Sequence, residues 1–394
     1  MSNMKIILTA GGTGGHIFPA MAVANEIREK YPESELLWIT TNRSNEKEIA
    51  ERFSLKMLSL DVDGIQRKIS LQPLKAILKT IKAINYMKKF LKKEKPDAVI
   101  AFGGYVCASV LWAAKSAKIP YFIQEQNTIM GAVNKFFVKG ANFVFLGMPI
   151  VEKHTPSGDN APATPLKAGN FHCQANENSP FVKGWQGCYP LTGYVLSGTP
   201  VRKKENYDNF AYPAEIDKNK RTILICGGSQ GAQSMNNILV KAVRWFSQNG
   251  FQVIWQTGTA SEGELKKEFS DDKNVAVFAS FTDLYPYYSI ADLLIGRAGA
   301  GTISEAELFA LPSIFIPLPW SAENHQWHNA GWAENCGWAL RFEQNGEASE
   351  KIIAFAEKNL VEKGEFYEKM KNCAVKNSKN SAEIIVQKVF SLKN

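Results

Sequence analysis

The sequence predicts an α/β protein of two domains, each a parallel sheet with helices on both faces and a ligand at the carboxyl ends of its strands. Three observations carry this. The 394 residues suffice for about two domains, and a hydrophobic fraction of 45% suits two full cores. Short β-rich runs alternate with helical patterns through both halves, the arrangement that yields parallel sheets. Glycine-rich turns recur where a strand run meets a helix: Gly11-Gly12-Thr13-Gly14-Gly15 in the first half and Gly227-Gly228-Ser229-Gln230-Gly231 in the second. Such a turn leaves backbone N–H groups pointing at an anion, and glycine permits both the tight turn and the close approach of a ligand.

Taken in order, the β-rich runs of the first half are Lys5–Thr9, Glu35–Thr40, Lys56–Leu60, Ala98–Phe102, Tyr121–Gln124 and Phe143–Leu146. Helical patterns lie between them at 18–30, 44–53, 72–93, 105–117 and 130–138. Residues 149–200, rich in Pro, Gly, Asn, Ser and Thr, break the rhythm and read as an insertion, a lid or an elaborated linker. Alternation resumes with strands at 222–226, 252–256, 274–278, 292–295, 313–316 and 338–341. The matching helices are 231–248, 261–269, 282–290, 301–310, 323–335 and 348–359. The tail from Phe366 is helical, and its apolar positions Ile384, Ile385, Val389 and Phe390 require a surface to pack on.

Composition excludes several classes. No charged leader or apolar h-region precedes the first strand, and no apolar run approaches the ~20 residues that span a bilayer. The six cysteines show no CxxC or Cys/His metal spacing, and Cys107 and Cys226 lie in apolar runs as core thiols, so the chain reads as cytosolic and reduced. The net charge of +8 is concentrated: residues 68–95 hold nine lysines against one acid, Glu94. One basic element, rather than a general nucleic-acid surface, follows from this. Within it Leu71, Leu74, Leu78, Ile81 and Ile84 fall at three- and four-residue steps. That pattern suits either an ordinary helix covering a sheet or a basic amphipathic helix on an anionic lipid surface.

Chemistry concentrates at the turns. His16, at the lip of the first glycine turn, titrates near neutral pH. Phe102-Gly103-Gly104-Tyr105 is a second strand-to-glycine turn that should open onto the same edge. Gln124-Glu125-Gln126-Asn127 places polar side chains at a strand's carboxyl end, suited to hydroxyl recognition. Gly296 to Thr302 forms a third glycine-rich helix start whose amides can hold a diphosphate. Glu305, read as lying in the first turn of that helix, can accept from ribose hydroxyls. Glu323-Asn324-His325-Gln326 opens another helix after a proline-ended strand.

With these motifs in hand the chain resembles the MurG family. The motifs are TAGGTGGHIFPA (9–20), GGYV (103–106), EQN (125–127), TPVR (199–202), GGSQGA (227–232), AGAGTISE (298–305) and ENHQ…NA (323–330), and the match spans nearly the whole chain outside 149–197. The resemblance implies a GT-B glycosyltransferase: two Rossmann-like, doubly wound parallel-sheet domains with an interdomain cleft. The domains are 1–200, with 149–197 as an irregular insertion, and 201–374, with a C-terminal helix at 375–394 returning to the first. It implies transfer of GlcNAc from UDP-GlcNAc to the C4 hydroxyl of MurNAc in undecaprenyl-pyrophosphoryl-MurNAc-pentapeptide, with inversion and without metal or cofactor. By motif position His16 is the general base. Thr13, Gly14, Gly15, Asn127, Arg202, Ser229, Thr282, Ala300, Gly301, Thr302, Ile303, Ser304, Glu305 and Gln326 would contact the nucleotide sugar. Thr282 would offer backbone to the uracil, Glu305 would take the ribose, and Asn127 and Gln326 would reach the sugar. Gly103, Gly104 and Tyr105 would border the lipid-linked acceptor.

The same resemblance assigns 68–95 to an anionic membrane surface, on the cytoplasmic face of the bacterial cell membrane, and admits other cell-wall synthesis proteins as partners. Two departures stand out: GGYV continues as Cys107-Ala108-Ser109 where Ser-Gly-Pro is common, and Gln66 stands where a basic residue is common. A related transferase with another lipid acceptor, such as diacylglycerol, and a non-catalytic nucleotide-sugar binder are the competing readings. Assay of both acceptors separates the first, and donor binding without transfer would mark the second.

Overall fold

The computed structural model describes residues 3–63, 72–151, 193–227, 232–362, 364–375 and 380–393. Two compact units result. The first takes residues up to Ile150, the segment ending at Lys203, and the C-terminal segment from Asn380; the second takes Lys204–Lys379.

In the first unit seven strands form one sheet: β1 (Lys5–Thr9), β2 (Glu35–Thr40), β3 (Lys56–Ser59), β4 (Ala98–Ala101), β5 (Tyr121–Glu125), β6 (Phe143–Leu146) and β7 (Tyr194–Leu196). Their order is β3-β2-β1-β4-β5-β6-β7, every pair parallel. The helices are α1 (Gly14–Lys30), α2 (Ser44–Arg52), α3 (Gln72–Glu94), α4 (Val106–Ser116) and α5 (Ala132–Phe137). β4 and β5 are buried at every position, as a parallel sheet covered on both faces requires. The period of two is visible along β1: Ile6 and Leu8 enter the core shared with α1, while Ile7 enters the core shared with α3 and α4.

The second unit repeats the plan with β8 (Thr222–Cys226), β9 (Gln252–Gln256), β10 (Val275–Phe278), β11 (Leu293–Gly296), β12 (Ser313–Phe315) and β13 (Ala339–Arg341). Their order is β10-β9-β8-β11-β12-β13, again all parallel. Its helices are α6 (Gln233–Gln248), α7 (Thr259–Glu268), α8 (Tyr285–Ile290), α9 (Ala300–Leu308), α10 (His325–Asn335), α11 (Ala348–Ala356) and α12 (Glu365–Val375). The final helix, α13 (Ser381–Phe390), belongs to the first unit. Its Ile385, Val386, Val389 and Phe390 share a core with Ile17, Met21, Ala24 and Ile27 of α1, and Phe390 stacks on Tyr31 at 3.7 Å. The apolar tail thus has its surface. Lys30 of α1 pairs with Glu383, and the Asn380 side chain caps α13 by accepting from the Glu383 amide at 3.2 Å.

Four differences from the sequence reading matter. α1 starts at Gly14 instead of 18, so His16 sits in its first turn and not at the lip of a turn. Gly14 and Gly15 are weak helix formers and Pro19 lies inside the helix, which hid the true start. Within 149–200 the structure has a strand, β7, pairing parallel with β6; three residues before Gly198 are too few to show a period, and 152–192 lie outside the described residues. α8 begins at Tyr285, leaving Thr282 in an exposed loop. The stripe read along α3 is not the face packed on the sheet. Ala83, Met87 and Leu91 enter the core with α4, whereas Leu78 and Ile81 are exposed. Leu71 and Gln66 fall outside the described residues.

Candidate functional site

Each sheet order reverses at one place, between β1 and β4 in the first unit and between β8 and β11 in the second. Helices leaving neighbouring strands there go to opposite faces, which opens a crevice at the carboxyl ends of those strands. The glycine-rich turns follow those four strands.

In the first unit the turns after β1 and β4 touch. Gly104 has φ +91°, and a Cβ on it would lie 2.4 Å from the Gly11 carbonyl oxygen. Gly103 has φ +106°, and a Cβ there would lie 2.7 Å from Cδ2 and 2.9 Å from Nε2 of His16. Only glycine lets the imidazole lie on this turn. The His16 amide donates to the Thr13 carbonyl at 3.1 Å, and its Nδ1 is 3.4 Å from Thr13 Oγ1. Thr13 and Gly15 are exposed, while Gly14 and His16 are half-buried. Tyr105 is 55% exposed at the start of α4. Cys107 lies beneath: its thiol donates to the Gly103 carbonyl at 3.0 Å and the Thr9 carbonyl at 3.3 Å. Burial pushes that thiol up to about 11, so it remains a neutral donor bracing the two turns.

Asn127 is presented by a carboxylate. Glu125 is buried at the end of β5 and accepts from the amides of Asn127 (3.1 Å) and Gly131 (2.9 Å) and from Asn134 Nδ2 (2.9 Å). Burial raises its carboxyl above the ordinary range, and these bonds oppose that shift. Gln126 turns inward, donating to the Phe102 carbonyl and to Gln124 Oε1, each at 2.6 Å. Arg202 is half-buried in an extended segment of the first unit.

In the second unit Gly299 is the N-cap of α9, with φ −67° and ψ 145°. Glu305 is not in the first turn as the sequence suggested. α9 starts at Ala300, which makes Glu305 its sixth residue, beyond the reach of the first-turn dipole. Its Oε2 accepts from the Tyr288 hydroxyl at 3.2 Å, and burial together with the Glu305 charge holds that phenol protonated. Ala300, Ile303 and Ser304 are buried, and the Ile303 amide donates to the Gly299 carbonyl at 3.0 Å, whereas Gly301, Thr302 and Glu305 are half-buried. A Cβ on Gly301 would meet nothing within 4 Å. Gln326 Oε1 accepts from the Leu318 amide at 2.9 Å, which leaves its NH2 as the end to donate to a ligand. Ser229, with Gly228, Gln230 and Gly231, lies outside the described residues.

Sequence reasoning gave no loop-holding role to Glu125, read as part of a hydroxyl-recognising run, to Cys107, read as a core thiol, or to Arg297, Asn329, Arg43 and Glu46. Arg297 Nη1 donates to the Ile316 carbonyl at 2.9 Å and Asn329 Nδ2 to the Ala298 carbonyl at 3.2 Å. Only Glu46 carried a readable signal, an acid three residues after Arg43 at the start of a helical pattern.

Comparison with known proteins now has a geometry to meet. Residues 6–146 match the model of the glycosyltransferase family 28 N-terminal domain, and residues 222–387 that of the family 28 C-terminal domain. A Bacillus pumilus UDP-N-acetylglucosamine--N-acetylmuramyl-(pentapeptide) pyrophosphoryl-undecaprenol N-acetylglucosamine transferase is 32% identical, over 83% of this chain and 82% of its own length. The Flavobacterium psychrophilum transferase of the same name is 31% identical over 100% of this chain and 98% of its own. Among solved structures, Acinetobacter baumannii MurG shares the fold at TM-score 0.71 and 24% identity, covering 98% of this chain and 99% of that one.

Proposed function

The chain belongs to glycosyltransferase family 28 and to the group of its N-acetylglucosaminyltransferase relatives, and from that premise we propose that it moves GlcNAc from UDP-GlcNAc to lipid-linked MurNAc-pentapeptide, releasing UDP. One observation carries the reading to this chain. The imidazole of His16 is seated on Gly103 within the paired glycine turns, on a chain 32% identical over 83% of its length to a transferase of that name.

The acceptor's C4 hydroxyl attacks C1 of GlcNAc, the bond from C1 to the UDP oxygen breaks, and the centre inverts. The hydroxyl proton passes to His16, whose ordinary pKa near 6.5 suits a base at neutral pH. From the first unit, Asn127 supplies amide contacts to the sugar, Thr13, Gly14 and Gly15 supply hydroxyl and backbone donors, and Arg202 supplies a cation to the departing diphosphate. Gly103, Gly104 and Tyr105 border the acceptor. From the second, the amides of Ala300, Gly301 and Thr302, which precede the first intrahelical donor Ile303, stabilise growing charge on the diphosphate. Glu305 accepts from the ribose hydroxyls, the loop backbone at Thr282 pairs with the uracil, and the Gln326 NH2 donates to the sugar. Ser229 completes the set by its motif position.

The acceptor's prenyl chain implies a membrane, and α3 supports a peripheral seat on the cytoplasmic face of the bacterial cell membrane. Among the described residues no helix is long and apolar enough to cross a bilayer. Instead Ile77, Leu78, Ile81 and Tyr86 are exposed on a helix whose other face fills the core, among lysines that each contribute ~1 kcal/mol at an anionic surface. Trp112 and Phe136, stacked at 5.7 Å and both exposed, add apolar area. Cell-wall synthesis proteins at that membrane are further partners.

Radiolabel transfer from UDP-GlcNAc to lipid-linked MurNAc-pentapeptide tests the activity. Product is expected with this acceptor and not with diacylglycerol; the reverse pattern overturns the acceptor assignment. For the membrane seat, the double variant Ile77→Glu with Ile81→Glu is expected to lose sedimentation with anionic vesicles. Retention equal to the parent's removes that role from α3.

A further inference from the structure

The glycine turn before α1 has little of its own to hold it. Gly12 has φ +95°, and a Cβ on it would meet nothing within 4 Å. Gly15 sits in comparable space, its nearest would-be contact being Thr13 Oγ1 at 3.7 Å. Glycines of this kind carry the largest backbone entropy and offer no side chain to pack. The turn is nonetheless gripped from outside at one residue, through the two peptides that flank its Cα. The Gly12 amide donates to Glu46 Oε1 at 3.2 Å, and Arg43 Nη1 donates to the Gly12 carbonyl at 2.5 Å. The Glu46 carboxylate is fully buried and set by two further donors: the Thr41 hydroxyl, shared between its two oxygens at 2.8 and 2.7 Å, and the Arg43 amide, which donates to Oε2 at 3.2 Å. Residue 46 is in the first turn of α2, whose N-terminus thereby points its own acid at the neighbouring turn. A buried carboxylate bonded to backbone N–H groups makes charge-assisted bonds roughly twice as strong as neutral ones.

We propose that Glu46, with Arg43 closing the opposite side, is a positioning residue. By fixing the Gly11–Gly12 peptide, while Arg43 holds the Gly12–Thr13 peptide, it sets the direction of the Thr13 to Gly15 amides and the seat of the His16 ring on Gly103. This rests on the role given to His16 above, and the two stand or fall by separate results. Glu46 touches no reacting atom; it acts through the turn.

The experiment uses the full chain, ¹⁵N-labelled, with the His16 ring signal and the Gly12 amide identified by their loss or displacement in His16→Ala and Gly12→Ala. In Glu46→Gln the Gly12 amide moves upfield, exchange of the Gly12 to Gly15 amides quickens by about tenfold or more, and the His16 ring signal shifts while the other four histidines stay put. Turnover, normalised to folded protein, falls about 10- to 100-fold. Arg43→Met leaves the Glu46 bonds to α2 intact and is expected to shift the same signals less. If Glu46→Gln is folded and leaves the His16 ring and the turn amides unmoved, the positioning role is wrong, whatever the activity. If those signals move yet His16→Ala transfers at the parental rate, the positioning holds and the base assignment fails. Should Glu46→Gln not fold, Arg43→Met decides: unmoved turn signals there overturn the proposal.

Discussion

The glycine-rich turns of the two units look alike in sequence and are built on different physics. In the first, Gly12, Gly103 and Gly104 all have positive φ, and the run is held by the side chains of Glu46 and Arg43. In the second, Gly296, Gly299 and Gly301 all lie outside the positive-φ region. Gly296 gives space, since a Cβ on it would come within 2.9 Å of the Cys226 carbonyl, and Gly301 leaves the first turn of α9 open. That run is braced by its own Arg297, which donates to the Ile316 carbonyl, and by Asn329 of α10, which donates to the Ala298 carbonyl. Glycine serves backbone conformation around His16 and access around α9. The division matches the proposed roles, with a base that must be aimed in one unit and a diphosphate that must approach main-chain amides in the other.

The largest expected effect separates the roles. His16→Ala lowers turnover by roughly 10²–10⁴ with UDP-GlcNAc affinity by calorimetry essentially unchanged. Glu305→Ala does the opposite, weakening donor binding. A His16→Ala enzyme that turns over normally, or a Glu305→Ala enzyme of undiminished donor affinity, would break the division.

Paired glycine substitutions come next. Gly104→Ala meets both a positive φ and the Gly11 carbonyl, so stability falls by about 1–3 kcal/mol from backbone strain alone and more from the clash. Thermal unfolding should therefore come several degrees earlier. Gly301→Ala is expected to leave stability equal or up to about 1 kcal/mol higher, because alanine is the better helix former. In the proposed site its methyl would meet the diphosphate, so donor affinity is expected to drop about tenfold, the equivalent of ~1.4 kcal/mol. Equal stability losses in the two variants would mean that the glycines do one job after all.

The smallest effect sharpens the picture at Asn127. Burial raises the Glu125 carboxyl above its ordinary value of 4.5. The folded chain then holds this proton over a pH window in which the unfolded chain has lost it. The contribution to stability is complete below pH 4.5 and declines as pH rises through the folded-state value. In Glu125→Gln that decline disappears, although Gln lacks the second acceptor for the Asn127 and Gly131 amides and the variant is less stable at every pH. Urea unfolding at pH 5 and pH 7 measures the slope, and an unaltered slope in Glu125→Gln would show that this carboxyl titrates alike in the folded and unfolded chain.

Several of these features were legible in the chain itself. Strands such as Lys5–Thr9, Glu35–Thr40, Phe143–Leu146, Thr222–Cys226 and Gln252–Gln256 have the bounds read from the sequence, because short apolar runs between turn residues have few alternatives. Cys107 and Cys226 are buried as their apolar neighbours imply. α3 was harder. Leu78 and Ile81 of the stripe lie outside, and a quieter face of Ala83, Met87 and Leu91 fills the core. Periodicity reports that a stripe exists and not which stripe a sheet will cover. Glu305 was misplaced for a different reason: the helix read at 301–310 begins within one residue of α9, and residue 305 lies past the first turn of either.

Local chemistry thus settled which residues turn, which extend and which side chains can bind an anion or move a proton, because those are properties of one residue and its near neighbours. That Glu46 on α2 reaches the Gly12 amide 34 positions away, that Cys107 Sγ braces β1 from α4, and that α13 closes over α1 were decided only by folding. Those contacts depend on the order β3-β2-β1-β4, which brings distant segments to one strand end, and pairing order is a global outcome of burying two sheet faces at once.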